Sequence, residues 1–599
     1  MNSMPNSVPE ETLRGSECRT AKRPTVLVVL IIVLAAQAAA LGYIATCLSP
    51  TPDEFANLSA GLSYIRGGDF GLYEVNPPLI KTLAAGCLFL SGAELPEIDL
   101  TIARPEFATG KRFAQEGGQN AMKHLIMARW IAIIFVLLGT IGVYLLADEL
   151  FGISSGLVAA ILWTASPLTL AYGPLLTFDI SSSAMGVCAT VLLVRLSRSC
   201  TLLDAVTAGL WTGLAVLTKS SWILLLVWMP VIELLFLWIG SSKRAPNTIS
   251  RSMRWIALTR LLVPAIAILV INVGYRFQET GTALGAYRFV SQTLSPGRNE
   301  DMQSNESSNR FTFGHLHYLP VILPGPFVRG IDLQKRDFET NRPAFRFGVW
   351  HTEGVWFYYL FGLAAKLPIG HLFLLVIGVV NCWIDPRARL FLLGTVVAYL
   401  FLISAQTAFN THFRYALIVH GFLCVIGSAS LNYSSKLPRM RLCMAIKTLL
   451  ILSCMFAPVR VFPYCHSFAN LLVGGPANNA YLLGGSAADW YQGWLAAATW
   501  IRIHEHDDTT IFVYTSRWIV PEVLGLRFVE SNIPSAKPDD YFLISVADRL
   551  ELERTRGPAI VEKERIAILG AGVEVYRVSS VNLSATADRT LLIDGHRTR

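Results

Sequence analysis

Two adjacent carboxylates, Asp53 and Glu54, are the residues whose types and position most directly suggest chemistry. They lie about six residues beyond the first long apolar run, in the segment SPTPDEFANLS. Carboxylates at a membrane surface are costly unless they are solvated, paired or used in function, and a positioned carboxylate can serve as a general base. The alternative is a solvated loop in which Asp53 caps a helix that begins at Phe55.

A third carboxylate, Asp179, follows in the segment SPLTLAYGPLLTFDISSS, between two later apolar runs. An ionisable group at the lip of a helix bundle indicates a functional site. The alternative is an N-cap for the next helix, since Ser181, Ser182 and Ser183 come shortly after it. We expect Asp53 and Asp179 to lie on the same face of the membrane.

Basic residues collect on that same predicted face. Arg and Lys suit the binding of a membrane-anchored phosphate, although pairing with acids inside the bundle explains any single one of them equally well. For the set together we favour phosphate binding, and we expect at least two members to line one outer-facing cavity with the two aspartates. The set comprises Lys81, Arg129, Lys219, Arg276 and Arg414.

The composition determines which elements must position these residues. The chain has 599 residues, of which 53% are hydrophobic and 15% charged, and its mean hydropathy is +0.47. Ordinary soluble chains are about 25% charged, so a wholly soluble enzyme, a disordered chain and a fibrous protein are excluded. The apolar runs are about twice as long as the roughly ten-residue strands of a membrane β-barrel, which predicts a polytopic helical membrane protein.

About eleven membrane spans are predicted, and the basic loops fit a cytoplasmic N-terminus. This topology gives a cytoplasmic tail at 1–24, a transmembrane domain at 25–461 with large outer loops at 48–123 and 275–368, and an outer soluble domain at 462–599. The predicted spans are 25–47, 124–147, 152–173, 177–197, 203–219, 221–240, 258–274, 369–384, 388–405, 411–432 and 443–461.

The predicted outer domain differs in character from the rest. The segments TIFVY (510–514), YFLIS (541–545) and VEVYRV (573–578) are typical of short strands, which predicts a small α/β domain. Two stretches of the outer loops, 79–90 and the aromatic-rich 356–368, favour helices lying in the membrane interface. The ten cysteines form no CxxC pair and are interpreted as small hydrophobic residues.

With these elements in place, the chain resembles the GT-C fold, the polyprenyl-phosphate-sugar-dependent membrane glycosyltransferases. That superfamily includes protein O-mannosyltransferases, lipid A aminoarabinose transferases and a bacterial mannosyltransferase-like group. The resemblance covers most of residues 25–500 and rests on an ordered set of segments together with the DE pair. They are GGDF followed by NPPLIK, ARW, SPLTLAYGPLLTFD, GLAVLTKSSW, LPGPFVRGIDLQKRDFE, WFYYLFGLAAKLP, THFRYAL and GGPANNAYLLGGSAADWYQGW.

The resemblance implies a specific function for the first group of residues. Asp53 would be the general base that removes the proton of an acceptor hydroxyl, with inversion at the anomeric carbon, and Glu54 would orient Asp53 or the sugar. Asp179 would bind a sugar hydroxyl or a metal, and the five basic residues would bind the lipid phosphate. The partners implied are a polyprenyl-phosphate sugar donor, a lipid, glycan or protein acceptor and membrane lipids, with no nucleic acid, at a bacterial inner membrane with the site facing outward.

This sequence departs from the family pattern in the first outer loop. Aminoarabinose transferases have a basic residue before the proline of this loop, where this chain has Asn76, so we expect the phosphate contact to shift to Lys81. Further along, Asp489 and Trp490 fit a core tryptophan with a capping aspartate better than a surface that faces the acceptor.

Several alternatives stay open at this point. A divalent metal is possible, although the outer histidines, His412 among them, favour ordinary surface positions. The alternative enzyme is an oligosaccharyltransferase or polymer ligase, for which we find no convincing WWD-type motif. A secondary transporter is disfavoured because no internal repeat is visible, and a non-catalytic membrane scaffold leaves the acids and outer bases unexplained.

Overall fold

A computed structural model gives the architecture of most of the chain. It describes residues 10–102, 104–228, 249–296, 309–405, 412–434, 440–504, 510–514, 518–526, 528–530, 540–556, 565–577 and 590–593. The greater part of the predicted span 221–240 lies outside these residues. The described residues between 10 and 504 are mainly helical and include one short β-hairpin, and a smaller α/β unit follows them.

The helices follow the apolar runs and the outer loops between them. In chain order they are α1 (Glu10–Cys47), α2 (Pro52–Gly67), α3 (Leu79–Leu90), α4 (Pro105–Phe151), α5 (Ile153–Thr164), α6 (Pro167–Tyr172), α7 (Asp179–Ser199), α8 (Leu202–Thr218), α9 (Ile249–Gly274), α10 (Gly325–Glu339), α11 (Tyr358–Lys366), α12 (Ile369–Ile384), α13 (Pro386–Ser404), α14 (His420–Ser428), α15 (Met440–Phe456), α16 (Asn479–Leu482), α17 (Trp494–His504), α18 (Pro521–Leu524) and α19 (Val546–Arg556).

Within the described residues, six helices are long and apolar enough to cross a membrane, or seven if the pair α11 and α12, bent by 119°, is one span. Shorter apolar helices, among them α5 and α8, lie between them. The prediction of a multi-pass helical membrane protein is therefore confirmed, whereas the count of about eleven spans stays a prediction.

Two predicted spans have different bounds in the structure. The span predicted at 124–147 is the second half of α4, which begins at Pro105 and has a non-helical residue, Gly118, at φ 50° and ψ −133°. The span predicted at 152–173 is two helices, α5 and α6, because Pro167 cannot continue a helix and Ser166 caps the next one by accepting the Leu168 N–H at 3.2 Å. The helix predicted at 79–90 is α3, with those bounds.

Eight strands form two sheets in the described part of the chain. A hairpin pairs β1 (Ala344–Arg346) with β2 (Val349–His351). A six-stranded sheet has the order β4-β8-β3-β5-β7-β6, in which β3 and β5 are parallel and the other pairs antiparallel. Its strands are β3 (Ile511–Tyr514), β4 (Phe528–Glu530), β5 (Tyr541–Ser545), β6 (Arg565–Leu569), β7 (Val573–Arg577) and β8 (Thr590–Ile593). The predicted α/β character and three of its strands are confirmed.

The helix bundle and the sheet have separate hydrophobic cores. The large core extends through the helices and still includes Phe468 and Trp490, whereas the smaller core begins at Trp494 and includes β3, β5 and β7. We therefore propose that the α/β domain begins near Trp494, with the preceding residues packed on the bundle. The ends of α1, α2, α7 and α8 converge beneath this junction.

Candidate functional site

A cavity of about 640 Å³ lies between the helix ends and the α/β domain. The first outer loop, α7, α8, α10 and the segment after His412 contribute to its wall, as do the loop at 485–491 and residues 518–524 of the α/β domain. Among the residues predicted from sequence to act in function, the cavity is lined by Asp53, Asn76, Asp179, Lys219 and Arg414.

Four of these residues form one charged network. Arg414 Nη1 lies 2.6 Å from Asp53 Oδ2 and 3.8 Å from Asp179 Oδ2. Lys219 Nζ donates a hydrogen bond of 2.5 Å to Asp179 Oδ1. The network joins side chains from four separate elements, so the fold brings together acids and bases that the sequence leaves far apart.

Helix geometry positions the four groups. Asp53 lies in the first turn of α2 and Asp179 is the first residue of α7, where the helix dipole stabilises negative charge. Lys219 is the residue directly after α8, where the dipole favours positive charge. The guanidinium of Arg414 lies 4.4 Å from the ring centre of Trp490, a cation–π contact that fixes its plane.

Several buried polar atoms of the cavity wall have no hydrogen-bond partner. They are Asp179 Oδ2, Arg414 Nε, Thr177 Oγ1 and Trp494 Nε1. Buried polar groups in proteins are nearly always satisfied by protein, water or a ligand. These atoms are available to hydrogen-bond a polar molecule in the cavity.

Glu54, the neighbour of Asp53, has a different environment. Its side chain is fully buried and accepts hydrogen bonds from Arg129 Nε at 2.9 Å, Arg129 Nη2 at 2.7 Å and the Leu176 N–H at 3.1 Å. It also accepts the Thr51 N–H at 2.9 Å, which closes the start of α2 in a capping-box arrangement. The alternative in which Asp53 caps a helix beginning at Phe55 is wrong, because α2 begins at Pro52.

Arg129 is equally enclosed. Nη1 donates at 2.7 Å to both the Ala45 and Leu48 carbonyls, and Nη2 donates to the Ser49 carbonyl at 3.1 Å in addition to Glu54. These bonds use the five N–H groups of the guanidinium and tie the end of α1 to α2. Arg129 therefore has no free N–H group with which to bind a phosphate, the role expected from the sequence. Its partner Glu54 lies outside the cavity wall.

Lys81 is also outside the cavity. Its ammonium group is buried and donates to the Tyr73 and Asn76 carbonyls at 2.7 Å each and to the Tyr64 hydroxyl at 3.3 Å. The expected shift of the phosphate contact from position 76 to Lys81 is not supported by this geometry. The structure instead uses Lys81 to hold the loop that places Asn76 at the cavity.

Arg276 is the fifth predicted phosphate ligand, and it is exposed just after α9, away from the cavity wall. Its backbone is left-handed, at φ 52°. Lys219 and Arg414 are thus the two members of the predicted basic set that the structure places beside the aspartates.

Three further cations line the cavity that sequence reasoning missed. They are Arg104, Lys111 and Arg342, which line it together with Asp337. Arg104 pairs with Glu106 at 2.6 Å and with Asp337 at 3.4 Å. The signal that could have found Lys111 is helical spacing, which places Phe107, Ala108 and Lys111 on one face of α4.

Asp489 and Trp490 both belong to the wall. Asp489 is buried, and its two oxygens accept the N–H groups of Tyr491 at 2.9 Å and Ala547 at 3.2 Å, so it caps backbone groups as expected. Burial raises the pKa of the Asp489 carboxyl to about 7. Trp490 is 6% exposed and belongs to the core, yet it also contacts Arg414.

The donor set of the site was tested for a metal centre. In the residues that the structure describes, no group of three or more His, Cys, Asp or Glu side chains is placed to hold a metal ion. Asp53 and Asp179 are joined by the guanidinium of Arg414, which occupies the position between the two carboxylates. We therefore derive no step through a metal.

Comparison with known proteins connects part of this site to a family. Residues 121–271 match the family model described as dolichyl-phosphate-mannose-protein mannosyltransferase. The match covers about a quarter of the chain and includes Asp179 and Lys219 of the cavity wall. Over that segment it confirms the resemblance inferred from the sequence. No curated protein is detectably similar in sequence to the whole chain.

Solved structures of similar architecture have low sequence identity to this chain. ArnT from Cupriavidus metallidurans, solved with undecaprenyl phosphate bound, is 13% identical with a TM-score of 0.46, covering 91% of this chain and 97% of that one. The oligosaccharyltransferase AglB from Archaeoglobus fulgidus, in complex with an inhibitory peptide and a dolichol-phosphate, is 14% identical with a TM-score of 0.42, covering 81% and 59%.

Proposed function

We propose that the chain is a membrane glycosyltransferase that moves a sugar from a polyprenyl-phosphate carrier to an acceptor hydroxyl. The observation that carries the proposal is the shared position of Arg414 between Asp53 and Asp179, beside Lys219, in the wall of one cavity. The family match supports it, because the matched segment supplies Asp179 and Lys219.

In this proposal Arg414 and Lys219 bind the phosphate of the donor. As the bond between the anomeric carbon and the phosphate oxygen breaks, negative charge develops on the phosphate, and fixed cations in a water-poor site stabilise it. Arg414 suits this role because its fork reaches two acceptors and its Nε has no hydrogen-bond partner in the protein.

Asp53 acts as the general base. Its carboxylate takes the proton of the acceptor hydroxyl, the hydroxyl oxygen attacks the anomeric carbon directly, and the carrier phosphate leaves from the opposite side, which inverts the configuration. Asp53 is held by Arg414 at 2.6 Å. A donor phosphate competes for that guanidinium, so donor binding frees the carboxylate for the acceptor.

Asp179 is proposed to orient the two cations and to bind a sugar hydroxyl through Oδ2, the oxygen that lacks a hydrogen-bond partner. Glu54 and Arg129 are proposed to hold α1 and α2 in place, with no contact to substrate. The reaction is placed on the outer face of a bacterial inner membrane. The acceptor is a lipid, a glycan or a protein, and the sugar is a mannose-like hexose or a pentose.

The deciding experiment uses the full chain in nanodiscs with a panel of radiolabelled polyprenyl-phosphate hexoses and pentoses, and a membrane extract as the acceptor source. Wild type should release polyprenyl phosphate and label the extract, whereas Asp53→Asn should not. Asp69→Asn is the matched control, since Asp69 is an exposed acid of the same loop outside the cavity. Full transfer by Asp53→Asn excludes Asp53 as the base. Sugar uptake into sealed vesicles without transfer would identify a transporter instead.

A further inference from the structure

A group of large apolar side chains is exposed in the second outer loop, outside the cavity. We call it the apolar tip; it comprises Phe313, Leu316, Tyr318, Leu319 and Ile322, whose side chains are 90%, 53%, 80%, 50% and 59% exposed. Exposure of apolar surface to water costs about 25 cal/mol per Å², and a contiguous apolar patch on a protein surface usually marks a binding surface.

Hydrogen bonds fix the apolar tip to the end of α9. The Gly281 N–H donates to the Val321 carbonyl at 2.8 Å, and the Leu284 N–H donates to the Leu319 carbonyl at 2.9 Å. The side-chain amide of Asn272, near the end of α9, donates to the Ile322 carbonyl at 2.9 Å. The position of the tip is therefore set by an apolar membrane helix.

The exposed face of α9 leads toward this tip. Leu258, Leu261, Leu269 and Val273 recur at helical spacing and are 51%, 69%, 53% and 59% exposed, and Phe277 continues the stripe. The opposite face of α9 packs on α8, where a Cβ at Gly213 would lie 2.6 Å from Val270 Cβ. The stripe is thus the side of α9 that lipid covers in a multi-pass membrane protein.

Arg276 follows the stripe, two residues after the end of α9, and its Nη1 lies close to Gly68 of the first outer loop. It is exposed, and it makes no ion pair within the part of the chain that the structure describes. A basic residue beside aromatic and aliphatic side chains is the arrangement that proteins use at the level of lipid headgroups. This position explains a basic residue that the cavity leaves unused.

We infer that the apolar tip and Arg276 dock on the bilayer leaflet at the outer end of α9. The side chains of the tip enter the interfacial region, continuous with the lipid-covered stripe of α9, and Arg276 contacts headgroup phosphates. The tip is followed directly by α10, which contributes Gln334 and Asp337 to the cavity wall. Docking on lipid therefore anchors one wall of the cavity to the membrane surface.

Photolabelling of the full chain tests this inference without any knowledge of the substrate. The chain is placed in bilayers that contain a phospholipid with a headgroup-proximal diazirine, irradiated, digested with trypsin and analysed by mass spectrometry. The tip peptide is 311–329, the positive reference is 261–276 from α9, and the negative reference is 566–577 from the α/β domain. The negative reference carries the exposed Ile566 and Ile568, so it controls for adsorption of label to any apolar surface.

The tip peptide should be labelled within about threefold of the α9 peptide and at least about tenfold above the α/β peptide. Phe313→Ser with Tyr318→Ser should lower tip labelling to the level of the negative reference while α9 labelling stays unchanged, which shows that the bundle remains inserted. Ile566→Ser with Ile568→Ser should leave tip labelling unchanged. Arg276→Gln should lower the labelling of the tip peptide by an anionic probe lipid, by up to about fivefold.

Tip labelling at the level of the α/β peptide in the wild-type chain would overturn the inference. Unchanged labelling in the Phe313 and Tyr318 double variant would do so as well. Neither result depends on sugar transfer, so the inference and the proposed function are tested separately.

Discussion

Asp53 and Glu54 are neighbours in the sequence, and their environments differ completely. Glu54 has no exposed surface and accepts five hydrogen bonds, three of them from main-chain or side-chain groups other than Arg129. Asp53 lines the cavity and shares its cation with Asp179. Glu54 belongs to a closed hydrogen-bond network, whereas Asp53 belongs to a network in which Asp179 Oδ2 and Arg414 Nε have no hydrogen-bond partner.

The difference shows how a buried ion pair in a helix bundle can be assigned to structure or to chemistry. Arg129 has a partner for each of its N–H groups, so a ligand has nothing to bind there. Arg414 has an unpartnered Nε and faces a cavity that also exposes Asp179 Oδ2. Unsatisfied polar atoms at a cavity, rather than burial or charge alone, distinguish the candidate site.

The largest expected effect is on the rate of transfer in Asp53→Asn. Loss of a general base lowers rates by about 100-fold to 10,000-fold, and the amide cannot accept the acceptor proton. The melting temperature of the variant should fall much less than in a variant that leaves a buried cation with no carboxylate, because Arg414 keeps Asp179 as a second partner. Single-turnover release of polyprenyl phosphate in nanodiscs measures the rate, with Asp69→Asn as the control. If the loss of rate is explained by an equal loss of folded protein, Asp53 acts in structure and its assignment to chemistry is wrong.

Glu54→Gln should show the reverse pattern. The substitution leaves the Arg129 guanidinium buried without a counter-charge, and breaking a buried pair from one side destabilises proteins by about 3–5 kcal/mol. Unfolding titrations and the yield of folded, monodisperse protein should both report the loss. If Glu54→Gln is as stable as Asp69→Asn but inactive, Glu54 acts in chemistry and the assignment of the two neighbours is wrong.

The sequence predicted where the site lies better than it predicted which residues belong to the site. The positions of the apolar runs assign each loop to one side of the membrane. That assignment was enough to place Asp53, Asp179, Lys219 and Arg414 near each other. The same information could not separate Asp53 from Glu54, because successive residues of a helix point about 100° apart and only the packed neighbours decide which side is closed. The phosphate-binding roles of Lys81 and Arg129 stay predictions, which the hydrogen bonds of these two side chains do not support.

The fold shows a similar limit. The apolar run at 369–384 predicted α12 with its observed bounds, and three apolar segments predicted strands of the C-terminal sheet. Three strands of that sheet, β4, β6 and β8, were missed, and β4 and β8 depend on pairing with each other and with β3 across the chain. Pairing with distant partners is a tertiary property that local sequence patterns do not carry.

A smaller effect should follow from Arg414→Lys. Lysine keeps the charge but loses the planar fork that serves two carboxylates and a phosphate. We expect the KM for the polyprenyl-phosphate sugar to rise by about tenfold, which corresponds to about 1.4 kcal/mol. Initial rates at varied donor concentration measure this change. Arg112→Lys is the control, because Arg112 forms an exposed i,i+4 pair with Glu116 outside the cavity, and it should leave the KM unaltered. An equal rise of the KM in the control would mean that the planar fork of Arg414 has no special role.

The smallest effect concerns Asp489, a buried carboxylate that, unlike Glu54, is satisfied by N–H groups with no cation. Its pKa in the folded chain is raised to about 7 by burial, above the value of about 3.9 in an unfolded chain. The folded chain therefore binds more protons between pH 4 and 7, and the contribution of Asp489 to stability is present at low pH and lost as the pH rises through about 7.

Wild-type melting temperature in nanodiscs should accordingly fall between about pH 4 and pH 7, and Asp489→Asn, which cannot ionise, should flatten part of that slope. The comparison between the two proteins isolates Asp489 from Glu74, whose pKa burial also raises to about 7. Equal slopes in both proteins would mean that Asp489 stays ionised across this range and that the two N–H groups outweigh its burial. Such a result would place Asp489 with Glu54, among carboxylates whose charge the fold fully satisfies.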